Sequence, residues 1–217
     1  MRKAISSLAA AGVLGLSMGV PTTAAAASDS GSHSFRASLT PIPTNNVTGS
    51  GTATVSLSGH EVTVRMTVKG LLAGVPHAAH IHVDGMGTCP TAAAATNLNG
   101  HIAISTTDGM KSYGMIGSSL TTSGDTSPAS ALAVPRFPVG SSYQYSRTIT
   151  VNNDVASNIR AGKAVIVVHG IDYDGSGKFT NVLGLSELDP KLPQVATAPA
   201  LCGTLKAMPS KGAATRR

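Results

Sequence analysis

Apolar side chains alternate with small polar ones along much of this chain, and that alternation constrains its fold more than any other feature. Ala53, Val55 and Leu57 interleave with Thr52, Thr54 and Ser56. Ser58-Gly59-His60 interrupts the run, and Val62, Val64, Met66 and Val68 resume it. A period of two puts every second side chain on one face. The pattern therefore predicts two strands joined by a tight turn, with one face buried. Ala79, Ile81 and Val83 extend the pattern to a third strand, and Ile102 and Ile104 mark another. Arg147 to Val151 and Ala164 to Val168 predict two more. The last is an almost unbroken apolar run, which suits a strand buried on both faces. Val155 to Ala161 is the one helical turn expected, capped by Asn153 or Asp154.

Composition supports a β fold. Charged residues are 12% of the chain and hydrophobic ones 41%. A coiled coil needs far more charge, and a disordered chain needs less apolar material. Gly 24 and Pro 12 suit a turn-rich protein. Two stretches, Thr88 to Gly100 and Gly109 to Gly140, lack periodicity, and long loops of that kind are usually functional or disordered. Seven or eight short strands with large loops predict one all-β domain, a sandwich or barrel, over residues 35–205.

The ends read differently. Arg2 and Lys3, an apolar run from about Leu8 to Val20, and an Ala-rich site at Ala25 to Ala27 form the three-part pattern of a secretory signal over residues 1–27. The apolar run is too short to span a membrane. Residues 28–34 are expected as a flexible tail and residues 206–217 as a basic, disordered one. Export implies a secreted, periplasmic or cell-envelope protein. The net charge of +6 falls to +4 without Arg2 and Lys3 of the signal, and that remainder is compatible with an anionic envelope. In such a compartment the two cysteines, Cys89 and Cys202, are expected to form one bridge. Two separate thiols, with Cys89 ligating a metal, is the other reading.

The histidines carry the chemistry. His77, His80 and His82 crowd together, and His80 and His82 stand two apart on a predicted strand. Their side chains therefore share a face, and two imidazoles on one face can hold copper, zinc, nickel or iron. His169 closes the buried strand, and His101 opens another after a glycine. Nucleic-acid binding is a poor reading, because the basic residues are scattered and few aromatics could stack. A hydrolase is poor too: no G-x-S-x-G element stands at a strand-to-helix turn.

The stretch VKGLLAGVPHAAHIHVDGMGTC, Val68 to Cys89, resembles the copper-binding segment of copper/zinc superoxide dismutases: K-G-L-x-x-G, then H-x-x-H-x-H, then a cysteine. GKAVIVVHGIDYDG, Gly162 to Gly175, is similar to the strand that ends in a further copper ligand before an acidic loop. ALCGTL, Ala200 to Leu205, is similar to the element holding the second disulfide cysteine. The resemblance implies a Greek-key β-barrel or sandwich with one disulfide, Cys89 to Cys202. It implies copper ligation by His80, His82 and His169. His77 matches a structural histidine beside the ligands. His101 is the remaining candidate for the bridging position, although it lies farther from Cys89 than that family places it.

The chain also departs from the family. No His lies between His101 and His169, so a zinc site is not expected. Pro199 stands where the family has its anion-guiding Arg. A positive rim would then have to come from residues such as Arg160, Lys163 or Lys178. Asp172 and Asp174, with Ser176, resemble the start of a calcium loop, but its twelfth position is Leu183 rather than Glu. A role behind the ligands, or in a plain turn, is the expectation for both Asp residues. The H-I-H element also resembles the domain repeated in chordin. Two functions follow from the resemblance: a copper-only superoxide dismutase-like protein with one copper ion per chain and superoxide as substrate, or a non-enzymatic domain that binds copper or a protein partner.

Overall fold

A computed structural model describes residues 32–209. The segment read as a signal, 1–27, lies outside the described residues, as do residues 28–31 of the expected N-terminal tail and residues 210–217 of the basic tail read over 206–217. Strands β1 (His33–Pro41), β2 (Ser50–Ser58) and β3 (Glu61–Lys69) form consecutive hairpins, and the second turns at Gly59, whose φ is +58°. β4 (Ala79–Asp84) follows, then a small separate ribbon of β5 (Thr96–Leu98) and β6 (His101–Ala103). Helix α1 (Thr106–Tyr113) leads into β7 (Gly114–Ser119). β8 (Ser142–Thr150), helix α2 (Asn153–Arg160), β9 (Val165–His169), the single turn α3 (Gln194–Thr197), β10 (Pro199–Thr204) and β11 (Lys206–Ala207) complete the order.

The main sheet runs β7-β4-β9-β10-β1-β2-β3-β8, with β11 on β1, and every pair in it is antiparallel. The sheet curls into a half-barrel around an apolar core. The alternation explains which residues fill it. Phe35, Ala37 and Leu39 of β1, Val55 and Leu57 of β2, Val62 and Val64 of β3, and Ile81 of β4 all point inward. Burying an aliphatic side chain of this size contributes about 1.5–3 kcal/mol each, which makes this face the main source of stability. Arg147 of β8 reaches across to the carbonyls of Thr121 and Gly124, and so ties the β8 edge to the segment that follows β7.

β9 is buried on both sides, as its apolar run predicts. Ile166 and Val168 enter the main core, while Val165 and Val167 enter a second cluster with Ile42, Ile104, Tyr113 and Cys202. That second cluster lies on the outer face of β4, β9 and β10. Cys89 and Cys202 form a disulfide with Cα atoms 5.8 Å apart, which pins the segment after β4 onto β10. Two separate thiols are thereby excluded.

Several local expectations need correction. α1 and β7 occupy part of a stretch that showed no periodicity. α2 is capped by Asn152, whose side chain accepts from the Val155 amide at 2.9 Å, and not by Asn153 or Asp154. The capping oxygen must reach an amide three residues on, and Asn152 is the residue so placed. Strand pairing begins at His33 and reaches Ala207, two residues beyond each expected domain limit.

Candidate metal centre

Register places three histidines on the outer face of the sheet. His80 lies opposite Val167 and His82 opposite Val165, so they share the face of Val165, Val167 and His169. One ring nitrogen from each of His80, His82 and His169 lies within 4.8 Å of the other two. The ring centroids are 5.0 Å apart for His80 and His169, and 5.8 Å for His80 and His82. All three side chains are buried.

Backbone carbonyls orient the rings. His82 Nδ1 donates to Gly114 O at 2.9 Å, His169 Nδ1 to Thr197 O at 2.7 Å, and His80 Nε2 to Ala131 O at 3.1 Å. A carbonyl can only accept, so the nitrogen facing it carries the proton, and the opposite nitrogen keeps its lone pair. Those opposite nitrogens are His80 Nδ1, His82 Nε2 and His169 Nε2, and each is buried with no hydrogen-bond partner. Orphaned buried polar atoms are costly and call for an explanation. A cation accepting three lone pairs would satisfy all of them at once, and fixing the tautomer through the other nitrogen is how metal-ligating histidines are usually held. The residues present therefore fit a metal ion.

Burial also keeps the rings neutral. Loss of solvent, followed by the charge of His169, drives His82 down to about 3. Desolvation drives His169 down to about 4. Desolvation first, then His169 and His82, holds His80 well below its ordinary value. Neutral imidazole is the ligating form, so these rings are poised for a cation at ordinary pH.

The surroundings hold this geometry. Helix α1 begins with a capping box, in which Ser105 accepts from the Asp108 amide and the Asp108 carboxylate accepts from the Ser105 amide. The helix presents Thr106 and Tyr113 to the histidines. Tyr113 packs edge-on to His82 at 4.6 Å and donates its hydroxyl to Thr106 O at 2.6 Å. Burial pushes that phenol above its ordinary value. Thr106 Oγ1 donates to Thr197 O at 2.6 Å, the carbonyl that also orients His169. Gly114 ends the helix with φ +90°, and a Cβ there would lie 1.9 Å from Val83 O. Only glycine lets the chain turn there and offer its carbonyl to His82.

An apolar cavity of about 210 Å³ opens over His80 and His169. Ile116, Leu132, Val134, Phe137, Phe179 and Leu192 form much of its wall. Among the described residues, no Lys, Arg, Asp or Glu lines it, and Arg160, Lys163 and Lys178 are not part of its wall. Arg160 instead donates to Gly59 O at 2.6 Å on the far hairpin turn.

The remaining predicted residues lie elsewhere. His101 is exposed on the β5–β6 ribbon, edge-on to Tyr173 at 5.5 Å, and stands outside the converging group. The segment after Cys89 folds into its own ribbon instead of joining β4, so His101 cannot meet the other rings. His77 is fully buried, with Nδ1 2.9 Å from His169 O and Nε2 2.9 Å from Leu72 O. Both of its nitrogens thus face backbone carbonyls, and the ring braces the end of β9. Asp172 accepts from the Gly177 amide, while Asp174 accepts from the Ser176 amide and the Thr180 hydroxyl. None of these hydrogen bonds reaches the three rings. The groups behind the ligands are carbonyls of Gly114, Ala131 and Thr197, which leave no mark in a sequence.

No family model matches the chain, and no curated protein matches it.

Proposed function

We propose that this chain is an exported, copper-only superoxide dismutase-like protein, with one copper ion held by His80, His82 and His169 and no zinc partner. The observation that carries the reading is the convergence of three buried, unpartnered ring nitrogens. The strand order also supports it: three hairpin strands, a crossing from β3 to β4, and a return of β8 to β3 suit a Greek-key barrel. Three nitrogen donors suit copper. Copper bound there would supply one-electron exchange with superoxide, giving oxygen from one molecule and peroxide from the next.

The chain's own residues do the rest. The carbonyls of Ala131, Gly114 and Thr197 keep each proton on the nitrogen turned away from the site. Tyr113 and Thr106 shield the rings from water, and the disulfide holds the covering segment in place. The cavity lies against the rings of His80 and His169, beside the buried nitrogens of the trio.

A second reading has an observation of its own. Among the described residues no cationic side chain lines the cavity, so no lining group raises the encounter rate with an anion. In that reading the domain, like the chordin-type one, holds copper or binds a partner without turnover. The test is superoxide dismutation by the copper-loaded chain beside His82→Ala. Turnover well above free copper, lost in His82→Ala, supports the enzyme. Tightly held copper with no more activity than free copper supports the second reading.

A further inference from the structure

The cavity over the trio has a chemistry that superoxide does not need. Its volume, about 210 Å³, exceeds the ~150 Å³ of an engineered apolar cavity that stays dry and binds benzene. The chain has only three Phe, and two of them, Phe137 and Phe179, stand in this wall. Phe137 is buried and packs edge-on to His80 at 5.6 Å. The two hydroxyls of the lining are already engaged: Thr106 donates to Thr197 O, and Thr197 Oγ1 is paired with Ser186 Oγ at 2.7 Å. The unpartnered nitrogens His80 Nδ1 and His169 Nε2 are themselves buried, so the rings meet the cavity with other atoms and the lining side chains offer it almost nothing polar. Leu132 and Leu188, 36% and 38% exposed, mark the side that opens to solvent, so the entrance is apolar too.

An inorganic anion gains little in such a place. It would lose its hydration and meet no cation or spare donor among the lining side chains. A small aromatic molecule gains by burying its ring against Phe137, Phe179 and the aliphatic wall. We propose that this cavity is a binding site for a small apolar molecule, a single aromatic ring seated on the Phe137–Phe179 wall. The ring site stands without the metal. Only its meaning as a site beside copper rests on the function proposed above.

The probes are p-cresol, toluene and azide, titrated into the metal-free and copper-loaded chain by calorimetry. Nuclear Overhauser contacts are read in the metal-free form. The expected result is one p-cresol per chain in the metal-free form, with contacts from its ring to Phe137 and Phe179. Toluene should bind at least as tightly, because no accessible lining side chain is free to pair with the hydroxyl. Azide should show no measurable binding to the metal-free chain. Ala196→Phe, which places a ring in the cavity wall, should weaken p-cresol at least tenfold. Absence of p-cresol binding, contacts elsewhere on the surface, or binding unchanged in Ala196→Phe would overturn the site. Toluene binding tenfold or more below p-cresol would overturn the apolar character given to the site. A chain that retains one copper ion when loaded yet binds azide and not p-cresol when metal-free would refute the inference and leave the metal reading intact. A chain that binds p-cresol but retains no copper would do the reverse.

Discussion

The two halves of the sheet solve different problems. In β1, β2, β3 and β8 one face packs the core and the other meets solvent. Their outer residues are Ser, Thr and a few charges, as in the pair Thr63 and Thr148, whose hydroxyls lie 2.8 Å apart. In β4, β9 and β10 both faces are covered. The inner one is apolar, and the outer one carries three histidines under a cover made from α1, the segment after β7 and the segment before β10. Local alternation suffices to build the first half. The second half needs distant segments to arrive and stay, and the disulfide, the capping box of α1 and the carbonyl contacts keep them there. Stability is generated in one half, and chemistry is housed in the other.

Acid should separate the halves most. The folded histidines resist protonation, while the unfolded ones titrate near 6.5. The unfolded state therefore binds more protons as pH falls, and the metal-free fold loses stability. The loss begins near pH 6.5 and continues toward about 4 for His169 and about 3 for His82. Each contributes up to ~1.4 kcal/mol per pH unit, or roughly 4 kcal/mol for the two by pH 5. Denaturant unfolding across pH checks this, and His82→Ala should flatten the dependence. A bound metal ion should oppose the loss, because it stabilises only the folded state.

Removing the disulfide comes next. Cys89→Ser with Cys202→Ser should cost ~2–5 kcal/mol, consistent with the long loop it closes. Hydrogen exchange should then rise first in β5, β6 and α1, while the β1–β3 hairpins keep their protection. Equal loss in both halves would erase the distinction. Trimming the shared core has a comparable but more uniform effect. Ile166→Ala, on the inner face of β9, should cost ~2–4 kcal/mol and lower protection in both halves. At the small end, Thr63→Ala removes one exposed hydroxyl pair and should change stability by less than ~0.5 kcal/mol. A larger effect would show that the solvent face of the hairpins is also carrying structure.

The same division decided what could be read in advance. The hairpins and β9 were legible because apolar and polar side chains contrast at a period of two. His80 and His82 were legible as a pair by the same rule, and His169 by its place at a strand end. β7 was not, because Gly114, Gly117, Ser118 and Ser119 offer no contrast. Gly117 is small because a Cβ there would lie 2.6 Å from a methyl of Val155. Helix α1 was hidden for a similar reason, with Thr, Gly and Ser in place of an apolar stripe. The Ser-x-x-Asp capping box, Ser105 to Asp108, was the signal that could have found it. His101 was a candidate for the bridging position only as the histidine left over in the resemblance, and the β5–β6 ribbon holds it outside the converging group. Tyr113, Phe137 and the three orienting carbonyls depend on tertiary contacts that no local pattern encodes.

The central claim is that the three orphaned nitrogens are one metal seat. The most direct measurement is titration of copper(II) into the metal-free chain, with nitrogen hyperfine structure read by electron paramagnetic resonance, beside His82→Ala. The account predicts one copper ion per chain with three nitrogen donors, lost or reduced to two donors in the variant. Copper held away from these rings, or held equally well by His82→Ala, would contradict it.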